Sequence, residues 1–148
     1  MFDTMLGKTT EYAIRALVYV YIQNQESKRP GFREIAKKIN SPEQFTAKVL
    51  QNLVRNKLVS SIKGRGGGFY FDQASKPLIL YEVICIIESE NFFHKCVFGL
   101  TQCDCENPCP LHKDFFPVRE LFFKLVKEVT IQSLAHNINE RNAILTRS

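Results

Sequence analysis

The sequence predicts a mainly α-helical chain that carries one small β-hairpin, and three observations support that class. Apolar residues recur with a 3.6-residue period in several separate stretches. Only residues 58–71 combine β-forming residues with a glycine-rich turn. The 148 residues, 45% hydrophobic and 24% charged, suit one compact domain with a short appendage rather than a disordered chain.

Thr9 to Gln23 reads as the first helix. Ala13, Ile14, Leu17, Val18 and Tyr21 share one stripe, and Thr9 or Thr10 serves as cap. The polar segment 23–31 contains Pro30-Gly31 and is a loop. Phe32, Ile35, Ala36 and Ile39 define a short second helix, ended by Asn40-Ser41-Pro42. Pro42 suits the first position of a third helix that runs to Asn56, with Ser41 as N-cap and Gln44 completing a capping box. Its inward stripe is Phe45, Val49, Leu50, Leu53 and Val54. Leu58–Lys63 is a strand, Gly64–Gly68 a turn with four glycines in five residues, and Phe69–Phe71 the return strand. That glycine run lacks the ending of a nucleotide phosphate loop and leads into a strand, not a helix, so the hairpin is read as a wing. Two short helices across a tight turn, followed by a hairpin, predict a winged helix-turn-helix.

The second half changes in character. Tyr81 to Glu90 reads as a helix with Val83, Ile84 and Ile87 turned inward and Cys85 acting as a small core residue. Phe92 to Asp114 shows no period, and so long a structureless segment signals function. Phe116 to His136 is the longest predicted helix, with Asp114 as cap and Pro117 in its first turn. Val118, Leu121, Phe122, Leu125, Val126 and Val129, widened by Phe123, give it an apolar stripe broad enough to predict a dimerisation helix. The tail 137–148 is polar and expected to fray. The expected division is a winged helix-turn-helix over 1–80 and a dimerisation segment with a cysteine-rich loop (92–114) over 81–148.

Charge narrows the function. The net charge of +5 is uneven: residues 1–75 carry +6 and residues 76–148 carry −1. A polyanion partner on the first lobe is expected. No apolar run reaches membrane-spanning length and no secretory signal is evident. Five cysteines in such a chain point to a reducing, cytoplasmic setting.

Two groups of residues carry the chemistry. In a helix-turn-helix the second helix enters the major groove, which singles out Ser41, Glu43, Gln44, Ala47, Lys48 and Gln51. Gln suits adenine and Lys suits guanine. Arg65 at the wing tip suits a narrow minor groove, and Lys8, Arg15, Lys37, Lys38 and Lys63 suit phosphates. The second group is Cys96, Cys103, Cys109 and His112, with Cys105 between them. Three readings stay open on spacing: an iron–sulfur cluster, a structural zinc, or a metal-free thiol switch. A small thiol oxidoreductase is disfavoured, because no C-x-x-C occurs and the basic wing would be unexplained; no enzyme activity is expected.

Together, residues 8–20, 32–69 and 78–88 and the Cys96/Cys103/Cys109/His112 series resemble the IscR/NsrR family of bacterial winged-helix transcription regulators. The resemblance covers nearly the whole chain. It implies a homodimer that binds a double-stranded DNA operator and whose affinity is set by an iron–sulfur cluster on Cys96, Cys103 and Cys109. In IscR-like members the fourth ligand is a His that falls on His112. In NsrR-like members it is an acidic residue of the other subunit that falls on Glu11. The former suits a [2Fe–2S] centre and the latter a [4Fe–4S] centre. Two departures stand out: the first Cys gap is one residue longer than in typical IscR-like members, and Ala47 and Lys48 stand where those members have Glu and Gln. Cys105 is an extra thiol, available as a substitute ligand.

Overall fold

The computed structural model describes residues 5–141 and residue 145. Six α-helices and one hairpin follow in the order α1 (Lys8–Gln25), α2 (Phe32–Lys38), α3 (Glu43–Arg55), β1 (Ser60–Ile62), β2 (Gly68–Tyr70), α4 (Leu80–Glu88), α5 (His112–Glu128) and α6 (Ile131–Arg141). A 3₁₀ turn, Glu90–His94, follows α4. The chain is therefore mainly helical with a winged helix-turn-helix, as the periodicity predicts.

The first core is built on α1. Its Ala13, Leu17 and Val20 are buried among Ile35 of α2, Leu50 and Leu53 of α3, and Ile131 and Ala135 of α6. Between α2 and α3, Asn40 takes the left-handed conformation (φ 55°). The Ser41 amide then donates back to the Ala36 carbonyl at 2.9 Å, which closes the helix end. The predicted capping box does not form. Pro42 is the N-cap itself, and α3 takes no side-chain cap. Ser41 instead meets the buried Thr46 hydroxyl at 2.9 Å, because that hydroxyl would otherwise lie in the core with only the Pro42 carbonyl beside it.

The hairpin pairs antiparallel, Ser60 with Tyr70 and Ile62 with Gly68. Three contacts fix it to the helices. The Phe69 amide donates to the Pro30 carbonyl at 2.9 Å. Asn24 of α1 accepts from the Phe71 amide at 2.8 Å and donates to the Phe69 and Lys28 carbonyls at 3.3 and 2.8 Å. Gly68 lies so close to the Arg29 carbonyl that any Cβ there would run into it.

The long helix expected over 116–136 is two helices. The chain turns extended at Val129, and Thr130 pairs with Ile79 in an isolated antiparallel bridge. Leu80 N donates to Val129 O at 2.9 Å and Ile131 N to Leu78 O at 2.8 Å. Thr130 and Ser133 then cap α6 reciprocally, each hydroxyl accepting the other's amide at 2.9 and 3.0 Å. The tail expected to fray from Asn137 stays helical through Arg141, with Ile138 packed on the core. Residues 142–144 and 146–148 of that tail lie outside the described residues.

Two further expectations are corrected. The segment 92–114 is partly regular, since the 3₁₀ turn buries Phe93 and α5 already begins at His112. Asp114 therefore lies in the first turn instead of capping it, and Pro117 is interior to the helix. A second, smaller core forms here: Ile84, Phe93 and Val126 are buried among Tyr81, Phe92, Phe122 and Phe123. Phe93 stacks on Tyr81 and meets Phe123 edge-on, each at 5.3 Å between centroids.

The start of α1 is capped from a distance. Its N-cap is Gly7, not Thr9 or Thr10, and a glycine has no side chain to offer. Glu88, the last residue of α4, takes its place. Its Oε1 accepts from the Gly7 amide at 2.9 Å and from the fully buried Thr10 hydroxyl at 2.8 Å. The carboxylate also sits at the positive end of the helix. Replacing Glu88 with Ala should therefore destabilise the fold by about 1–3 kcal/mol, because it orphans a buried hydroxyl and a helix-end amide. Urea unfolding checks this, and Gln in its place should recover part of the loss.

Candidate metal centre and nucleic-acid interface

The loop between the 3₁₀ turn and α5 folds back on itself. Gly99 N donates to Cys96 O at 2.9 Å, with Gly99 at φ 73°, and turns the first arm. Asp104 Oδ1 accepts from the Glu106 and Asn107 amides, both at 2.8 Å, and turns the second. These turns bring Cys96, Cys103 and Cys109 together, with all three sulfurs within 4.8 Å of one another. Among the described residues these three alone form such a group.

His112 stands beside the triangle. Its Nδ1 lies 3.2 Å from Cys103 Sγ and its Nε2 lies 3.9 Å from Cys105 Sγ. Cys105 is exposed, whereas Cys96 is buried and Cys103 and Cys109 are half-buried. Glu11, the other candidate ligand, sits in the first turn of α1 with Lys8 Nζ at 3.8 Å. Cys85 is half-buried against the second core, as its place on α4 predicts.

Electrostatics sets Cys96 and Cys103 apart. Burial works against the Cys96 thiolate. The Leu100 and Phe98 amides, with the Cys103 and Cys109 thiols, outweigh it and bring the pKa from 9.0 down to about 7. Cys103 goes the other way. The Cys109 amide favours its thiolate, but burial and the neighbouring sulfurs of Cys109 and Cys96 prevail and raise it.

The donor set fits a thiolate-held group. Zinc–sulfur bonds of about 2.3 Å in a tetrahedron separate sulfurs by about 3.8 Å, a spacing compatible with this triangle. Soft sulfur donors also select iron–sulfur groups.

The residues expected to meet DNA lie at or near the surface. Glu43, Gln44, Lys48 and Gln51 line the exposed face of α3, and Ser41 and Ala47 are half-buried at its edge. Glu43 is drawn to Arg33 of α2 at 3.7 Å. Lys63 and Arg65 are exposed at the wing, and Lys8, Lys37 and Lys38 are exposed too. Arg15 is half-buried, stacked 5.6 Å from the Tyr12 ring centroid. Sequence reasoning missed three side chains that tie separate segments together: Asn24, Glu88 and Arg119. None left a readable signal, Arg119 included, since the predicted helix begins at Phe116 and leaves His112 outside it.

A winged helix-turn-helix joined to a three-cysteine centre defines a class of regulator. Residues 6–137 match the Rrf2 family, described as an iron-dependent transcriptional regulator, and the chain belongs to that family. It is 26% identical over 141 residues to the HTH-type transcriptional regulator NsrR of Oceanobacillus iheyensis, covering 95% of each chain. Its fold is similar to that of CymR, the global cysteine regulator of B. subtilis, with a TM-score of 0.70 at 17% identity over 92% of this chain and 98% of that one. It is also similar to T. potens IscR, with a TM-score of 0.70 at 16% identity over 94% and 91%. Among the described residues, no helix is long and apolar enough to cross a membrane.

The reduced chain should bind Co²⁺ with a thiolate-to-metal charge-transfer band. Cys103→Ser should remove most of that band and Cys85→Ser should leave it, as ultraviolet titration will show.

Proposed function

We propose that this Rrf2-family regulator is a homodimer that binds a DNA operator with an affinity set by an iron–sulfur cluster. The single observation that carries the reading is the convergence of three thiols in a chain that also bears an exposed recognition helix. Residues 1–80 read DNA, and residues 81–148 sense and dimerise. When bound, the cluster supplies a redox-active, nitric-oxide-reactive group. Cys96, Cys103 and Cys109 hold it, with His112 or the partner subunit's Glu11 as fourth ligand and Cys105 as a reserve thiol.

The dimer surface is the outer flank of α5. Val118, Leu121 and Leu125 are 50%, 71% and 53% exposed, while Phe122 and Val126 on the other flank turn inward. Such an uncovered apolar flank favours a second copy. Two-fold symmetry then presents two α3 helices to successive turns of the major groove. Gln44 and Lys48 meet base edges there, beside Ser41 and Ala47. Lys63 meets phosphate and Arg65 enters the minor groove.

A second reading keeps the DNA reader and places one zinc ion on the cysteines. The small sulfur triangle favours it. A metal-free thiol sensor is the limiting case of the same arrangement.

Iron and sulfide analysis of protein purified without oxygen separates these readings. Iron and sulfide in equal amounts support the cluster, and zinc alone supports the second reading. Selection from random duplexes supplies the operator. On it, Gln44→Ala should cost about 1–3 kcal/mol and relax specificity at one position. Lys63→Ala should weaken binding on every sequence and reduce the salt slope by about one. Unchanged specificity in Gln44→Ala would overturn the proposed reading face.

A further inference from the structure

Arg119 occupies an unusual position. It lies seven residues after His112 and four after Phe115, so all three share one face of α5. Its guanidinium carbon is 5.8 Å from the Phe115 ring centroid. Its Nη2 donates to the Lys95 carbonyl at 3.2 Å. That carbonyl belongs to the peptide bond that joins Lys95 to Cys96. Its Nε is buried and has no acceptor among the described residues. The guanidinium also pairs with no carboxylate among them.

A buried N–H without an acceptor and a half-buried cation without an anion are both unfavourable. The three-cysteine centre, linked to this arginine through the Lys95 carbonyl, is a source of negative charge once it is loaded. Three thiolates carry more negative charge than a divalent cation cancels, so the metal-bound centre stays anionic. The unpaired cation is tethered one peptide bond from its first ligand.

We infer that Arg119 is a positioning residue of the three-cysteine centre. It pins the Cys96 arm of the loop to the helix that begins at His112, and it supplies the positive charge that the thiolates meet. This rests on the metal-centre reading above. The two tasks separate by substitution. Arg119→Lys keeps the charge but loses the planar fork that reaches the carbonyl while lying over Phe115. Arg119→Gln loses the charge as well.

The test titrates full-length, reduced, metal-free protein with Co²⁺ and follows the thiolate charge-transfer band. The thermal midpoint of the metal-free protein serves as the control for folding. Arg119→Gln should bind Co²⁺ about 10–100-fold more weakly, the usual size of a lost outer contact at a metal site. Arg119→Lys should fall between Gln and wild type. Equal losses in both variants, tracking an equal fall in thermal midpoint, would reduce Arg119 to a packing residue and overturn the inference. Wild-type affinity in Arg119→Gln, with the band abolished in Cys103→Ser, overturns this inference and leaves the centre standing. A band that persists in Cys103→Ser sinks the centre itself. If Arg119→Gln does not fold, Arg119→Lys decides: weaker binding at an unchanged midpoint supports the role, and unchanged binding refutes it.

Discussion

The structure depends on a short antiparallel clip, Leu78–Leu80 against Val129–Ile131. Two backbone hydrogen bonds and the Gln132 side chain, which accepts from Leu78 N at 2.9 Å, hold it. Local sequence favours one helix across this point, since the apolar period continues through it. The clip wins because it satisfies strand-like backbone groups on both sides while Thr130 and Ser133 restart the helix. Everything after it is redirected. Helix α6 returns to α1 and completes the first core, and α5 is left with one buried and one exposed flank.

That arrangement gives α5 two distinct ends. Its start carries His112 beside Cys103, and its finish is anchored by the clip. The aromatic group around Phe93 packs its middle against α4. Helix α4 in turn ends at Glu88, which caps α1. The cysteine loop is thus joined through packed and hydrogen-bonded elements to the helix on which α2, α3 and the wing are built. Asn24, near the far end of α1, holds the hairpin. On the proposed reading, a change in the loop reaches both the α5 flank and the α1 platform along this chain of contacts.

Much of this was legible in the sequence, for identifiable reasons. The stripes on α1 and α3, the break at Asn40-Ser41-Pro42 and the glycine-rich turn are local signals, and they fold locally. Family resemblance singled out Cys96, Cys103 and Cys109 as candidate ligands, but their convergence depends on the Gly99 and Asp104 turns. Ser41 misled because a buried Thr46 competes for its hydroxyl. Thr130-x-x-Ser133 is a capping signal in plain view, outvoted by a continuous apolar stripe. Glu88 and Asn24 act over long sequence distances, and no local pattern announces such a partner.

On the proposed reading, the state of the cysteine centre sets DNA affinity. One selected operator, titrated with metal-loaded and metal-stripped protein at matched salt, decides this. The two states should differ by about tenfold or more in affinity, a difference abolished in Cys103→Ser. Equal affinity in both states, with dimer and fold intact, would contradict it and leave the cysteines a structural role.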